Sequence, residues 1–120
     1  MQELIWVGQS KKDLMDLPED VRRVIGYGLY IAQNGDMPEN AKILKGFGGA
    51  GVIEIIDSDS AGTYRAVYTI KMMNMIFVLH VFQKKSKHGI KTPKQDIDLI
   101  HSRLKLAEEI YKERLKHEKK

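Results

Sequence analysis

The chain has no cysteine, so disulfides and thiolate-held metals are excluded. Its four histidines, His80, His88, His101 and His117, are scattered and never fall into H-E-x-x-H spacing, so no metal or other cofactor is expected. No apolar run reaches the roughly 18 residues that a membrane span needs. The first residues are acidic and polar rather than a basic stretch followed by an apolar one, so neither a leader nor a membrane partner is expected, and the expected compartment is the cytoplasm. Carboxylates are absent over a long interval: none occurs between Asp59 and Asp96. A phosphate loop is also missing. Lys45-Gly46-Phe47-Gly48-Gly49-Ala50-Gly51 is glycine-rich but lacks the G-K-[ST] ending and does not lead from a strand into a helix.

What is present is an ordinary globular composition in 120 residues, 42% hydrophobic and 30% charged, which suits one domain spanning 1–120. The net charge of +4 is unevenly spread. Residues 1–60 hold 6 Lys/Arg against 10 Asp/Glu, whereas residues 61–120 hold 14 against 6. The halves are therefore −4 and +8, which suggests a polyanionic partner for one face; a solvated basic helix is the plainer alternative.

The pattern predicts elements in the order β-α-α-β-β-β-α. Residues 3–7 read as a strand ending at Gly8. Ser10, with Asp13 three residues on, reads as an N-cap. After Pro18, the residues Val21, Val24, Ile25, Gly28, Leu29 and Ala32 recur at helical spacing, and Asn34-Gly35 closes that helix. Residues 35–50 read as loop. Strands are expected at 52–56, 63–71 and 75–83, with a turn over 57–62. Thr92-Pro93-Lys94-Gln95 reads as N-cap, first helical proline and capping-box glutamine of a long helix with Ile97, Ile100, Leu104, Ala107, Ile110, Tyr111 and Leu115 on one face. Helices on one face of an antiparallel sheet would give a two-layer α+β domain.

Two stretches carry charge suited to chemistry. In Thr63-Tyr64-Arg65-Ala66-Val67-Tyr68, strand alternation puts Arg65, Val67 and Thr69 on one face. An arginine in mid-strand either pairs with a carboxylate, Glu54 on the neighbouring strand, or clamps a phosphate from an open groove. In Val81-Phe82-Gln83-Lys84-Lys85-Ser86-Lys87-His88, four of the last five residues can be cationic. A phosphate would relieve their mutual repulsion, although a solvated lysine loop needs no such partner. The cationic setting favours the neutral, base form of His88, whereas His80, in an apolar strand, fits a satisfied core position better. Lys45, Tyr68, Lys91 and Lys94 are further candidates for RNA contact.

Residues 43–111 resemble the phage-derived, HigB-like branch of the RelE/ParE toxins. The resemblance rests on Leu44-Lys45-Gly46, Tyr64-Arg65-Ala66-Val67-Tyr68, Phe82-Gln83-Lys84-Lys85-Ser86 and Lys91-Thr92-Pro93 in that order. It implies two N-terminal helices packed on a twisted antiparallel sheet with a C-terminal helix. It also implies a ribosome-dependent endoribonuclease that holds the scissile phosphate with basic residues while the ribose 2′-hydroxyl attacks. The implied partners are the ribosome, messenger RNA and a cognate helix-turn-helix, HigA-like antitoxin. Matched to the family's positions, Arg65, Lys84, Lys85 and Lys87 are the catalytic candidates, with His88 standing near the place of a family tyrosine. The first meander strand, Ile53-Glu54-Ile55-Ile56, lacks the lysines that RelE carries there. ParE members of the same superfamily act instead as non-enzymatic inhibitors of gyrase, and a phage-derived nucleic-acid-binding protein is a further alternative.

Overall fold

The computed structural model describes residues 1–84 and 92–118. Its elements are β1 (Glu3–Trp6), α1 (Ser10–Met15), α2 (Glu19–Gln33), β2 (Ala41–Ile43), β3 (Val52–Asp59), β4 (Gly62–Thr69), β5 (Met75–Lys84) and α3 (Lys94–Glu118). The expected α+β order is present, with one strand more than the pattern predicted. The five strands form one sheet in the order β1-β5-β4-β3-β2. The meander β3-β4-β5 is antiparallel, while β1 joins β5 in parallel, Glu3 opposite Met75 and Trp6 opposite Val78.

The helices do not share a face. Val21, Ile25, Leu29 and Ala32 of α2 and Leu14 of α1 pack with Ile53, Ile55, Ala66, Tyr68, Ile76 and Val78. Ile100, Leu104 and Ala107 of α3 pack on the other side, with Val52, Val67, Phe77 and Leu79. The sheet is thus covered on both faces, and the expected two layers are three. The reason is legible in the strands: β5 reads Met75-Ile76-Phe77-Val78-Leu79, all buried, a continuous apolar run that needs cover on both sides.

Local chemistry differs from expectation in ways that matter for the site. Ser10 does not cap α1: its hydroxyl, fully buried, donates to the Val78 carbonyl at 3.1 Å and ties the helix to β5. Thr92 does not cap α3 either, because its hydroxyl donates to Glu54 at 2.9 Å. The β3–β4 turn is tighter than the span 57–62, since the ladder runs on to Asp59 opposite Gly62, and Asp59 Oδ1 accepts from the Ala61 amide at 2.8 Å. A register shift between Val67 and Tyr68 marks a bulge at Leu79 of β5. Beyond it, Val81 packs on the α2 side and Phe82 on the α3 side. The extra residue shifts the alternation by one and turns His80 toward α3.

Candidate nucleic-acid interface

The α3 face of the sheet carries a polar cluster at the end where β5 leaves and α3 begins. Pairing aligns Lys42, Glu54, Val67 and His80 across β2, β3, β4 and β5. One residue pair along, Arg65 lies opposite Phe82, and Thr63 opposite Lys84. Arg65 and Lys84 therefore share a face by strand alternation.

Arg65 does not open onto a groove. Its Nη1 donates to Glu54 Oε1 at 2.8 Å, and the two side chains are 2% and 0% exposed. A guanidinium must reach a phosphate to clamp it, and this one is enclosed. The expectation of an exposed phosphate clamp at Arg65 is corrected by the Glu54 pair. The physical cause is the acid itself: a carboxylate in the Val-Ile-Glu-Ile-Ile run, buried between apolar neighbours, requires a cation and hydrogen-bond donors. Glu54 takes Arg65 on one oxygen and Thr92 on the other, with Lys42 Nζ at 4.0 Å. Lys42 was not among the expected residues, because β2 is only three residues long and its pairing with β3 places it.

The second tie is His80. Its Nε2 is 2.8 Å from Asp96 Oδ1, an acceptor, and its Nδ1 is 3.4 Å from Arg103 Nη1, a donor. These partners place the ring proton on Nε2. Arg103 also donates to the Leu79 carbonyl at 2.9 Å, and the imidazole stacks on Phe82 with centroids 4.6 Å apart. His80 is therefore a satisfied residue docking the first turn of α3 on β5. Asp96 and Arg103 lay beyond sequence reasoning, since only the packing of α3 brings them to His80.

Tyr68, expected at RNA, is fully buried against α2, on the opposite face from Arg65. It is corrected to a core residue. The alternation of β4, which puts Tyr64, Ala66 and Tyr68 on one face, places it there. Its hydroxyl has no hydrogen-bond partner among the described residues. Burial pushes its pKa up to about 12.

The remaining candidates divide by position. Lys84, half-buried, ends β5, and Lys94, exposed, begins α3. In the stretch between them, Thr92 is held on Glu54. Lys85, Lys87, His88 and Lys91 belong to it and lie outside the described residues. Lys45 is exposed but sits past β2, near the row Val52–Thr69–Phe77. At ~3.3 Å per residue that is roughly 20 Å along the strands from the Thr63–Lys84 row, so Lys45 and Lys84 do not meet on one phosphate. No helix among the described residues is long and apolar enough to cross a membrane.

Comparison with solved structures finds the isolated RelE toxin of E. coli, with a TM-score of 0.55 at 19% identity over 85% of this chain and 98% of that one. The RelBE2 toxin–antitoxin complex of Mycobacterium tuberculosis gives a TM-score of 0.48 at 19% identity over 69% and 98%. At such identity the likeness to RelE is one of fold. No curated protein matches the sequence. The family described as phage derived protein Gp49-like (DUF891) matches residues 12–105. Spanning both ties and the strands that carry them, that match covers most of the chain, which belongs to the phage-derived Gp49-like family.

Proposed function

We propose that this chain is the toxin of a type II toxin–antitoxin pair and inhibits translation by cutting messenger RNA on the ribosome. The observation that carries the reading is a RelE-like fold in which a cationic stretch without carboxylates, 84–94, joins the end of β5 to the start of α3, with Thr92 held on Glu54. In this reading Lys84, Lys85 and Lys87 hold the scissile phosphate and His88 serves the proton transfer. Lys91 and Lys94 contact the RNA backbone, and Lys45 contacts it at a distant point. The ribose 2′-hydroxyl gives up its proton and its oxygen bonds to phosphorus as the bond to the 5′-oxygen breaks; the 5′-oxygen takes up a proton to leave as a free hydroxyl, and the cyclic phosphate that remains becomes a 3′-phosphate when water opens it. Negative charge grows on the nonbridging oxygens, and each pre-positioned cation is worth on the order of 10²–10³ in rate. Arg65 has an indirect part: it neutralises Glu54, and Glu54 holds Thr92. The partner is an antitoxin of the helix-turn-helix kind, and the working compartment is the cytoplasm.

The test is induced expression without an antitoxin, followed by mapping of 5′-hydroxyl ends in messenger RNA with and without ribosomes. Growth arrest with ribosome-dependent cuts is expected, and both should be lost in the triple variant Lys84→Ala/Lys85→Ala/Lys87→Ala. Arrest that survives the triple variant refutes the site. One observation favours a second reading: the strand arginine matched to the family's motif is sealed against Glu54. A non-enzymatic inhibitor of gyrase would need no such cation. Inhibited supercoiling with intact messenger RNA would establish that alternative.

A further inference from the structure

The face of the molecule away from α3 carries a feature that RNA cleavage does not use. On α2, Tyr27 and Tyr30 are 66% and 50% exposed, and their rings stack with centroids 6.4 Å apart. Three residues apart on a helix, they present one continuous aromatic surface to solvent. Beside them lies a groove of about 560 Å³ in which Val24, Ile31 and Ile56 are apolar and Glu39 and Asp57 supply carboxylates. Among the described residues, no lysine, arginine or histidine lines it. The cation one turn before Tyr27, Arg23, is held by Glu19 at 2.6 Å. The surrounding half of the chain, residues 1–60, has a balance of −4.

We infer that Tyr27, Tyr30 and the groove beside them form a docking surface for an arginine-bearing segment of a partner protein. A guanidinium fits both features at once. Its plane stacks on a tyrosine face, and its forked donors match a carboxylate such as Glu39 or Asp57. Apolar side chains flanking the arginine would fill the Val24–Ile31–Ile56 part. Phosphates are repelled by the same carboxylates, so nucleic acid is not the occupant. A second copy of this chain is the weaker choice: its basic half would meet this acidic half head to tail, a heterologous contact that leads to rings or open filaments rather than to a closed symmetric pair. Because α2 and α3 cover opposite faces of the sheet, a partner seated here leaves the α3 face uncovered. The surface stands whether or not the RNA reading holds.

The experiment is a heteronuclear NMR titration of the full chain with a synthetic peptide of alternating arginine and leucine. Its lysine-for-arginine and glutamate-for-arginine counterparts and an oligouridylate serve as competitors. The arginine peptide is expected to shift the Tyr27, Tyr30, Glu39 and Asp57 signals, to bind several-fold more tightly than the lysine peptide, and to weaken roughly tenfold with Tyr27→Ser. Charge reversal in Glu39→Lys/Asp57→Lys, with spectral dispersion confirming the fold, should abolish binding. The proposal is overturned by an absence of shifts, by shifts mapping elsewhere, or by oligouridylate moving the same signals. It is equally overturned if sedimentation shows self-association that Tyr27→Ser removes.

Discussion

Arg65→Met separates the structural part of this arginine from any part in catalysis. In the wild type Arg65 and Glu54 are 2% and 0% exposed and 2.8 Å apart. Removing the guanidinium leaves a buried carboxylate with the Thr92 hydroxyl and, at 4.0 Å, the Lys42 ammonium. Breaking a buried pair from one side costs about 3–5 kcal/mol. For a domain between the small and middle size classes, that corresponds to a fall in Tm of roughly 10–25 °C. Replacing both partners, Arg65→Met with Glu54→Leu, removes the stranded charge and should return stability to within about 1–2 kcal/mol of the wild type. Thermal and urea unfolding by circular dichroism read both quantities. A single variant within about 1 kcal/mol of wild type would refute the claim that this pair is enclosed and interdependent. The double variant then tests function on a folded protein. If it still arrests growth, Arg65 does not touch the phosphate; if it is stable yet inert, function needs either the arginine itself or the Thr92 anchor that Glu54 provides, and Thr92→Val, inert only in the second case, tells them apart.

Alkaline unfolding should report Tyr68. Its folded pKa of about 12 lies above the ordinary value near 10, so its stabilisation is intact below about pH 10 and is lost as pH rises toward 12, by up to about 3 kcal/mol. Tyr68→Phe should flatten that part of the stability–pH curve relative to wild type, and an unchanged slope would contradict the burial. Asp96→Ala should cost about 1–2 kcal/mol and speed amide exchange in the first turn of α3 above that of its middle, since it releases the 2.8 Å tie to His80; uniform exchange along α3 would argue against a local dock. His88→Ala should slow messenger RNA cleavage on the ribosome by roughly 10²–10⁴ with binding retained if it moves the proton, and a rate near wild type would assign the proton transfer elsewhere.

The meander, the α2 stripe and the long C-terminal helix were legible because each is written locally. Alternation or helical spacing fixes which side chains must be buried, and Val21, Ile25, Leu29, Ile100, Leu104 and Ala107 are buried accordingly. The resemblance carried by the motifs around Arg65 and Lys84 led to the family. The caps were less secure. Ser10 and Thr92 have the chemistry of N-caps, yet each hydroxyl found a distant partner instead, the Val78 carbonyl and the Glu54 carboxylate. Local patterns cannot foresee that competition, since hydroxyls satisfy whichever buried acceptor is brought within reach.

By itself the chain's order of residues determined the class of fold, the order of seven of its eight elements and the concentration of cations in one connecting stretch, because these follow from periodicity and composition. Only the tertiary structure decided that α3 crosses the face opposite α2, that β2 exists, and that Arg65 spends its charge on Glu54. These outcomes depend on which distant residues share a face. Burying the Glu54 carboxylate requires a cation there, and the cross-strand register brings Arg65 within reach of it.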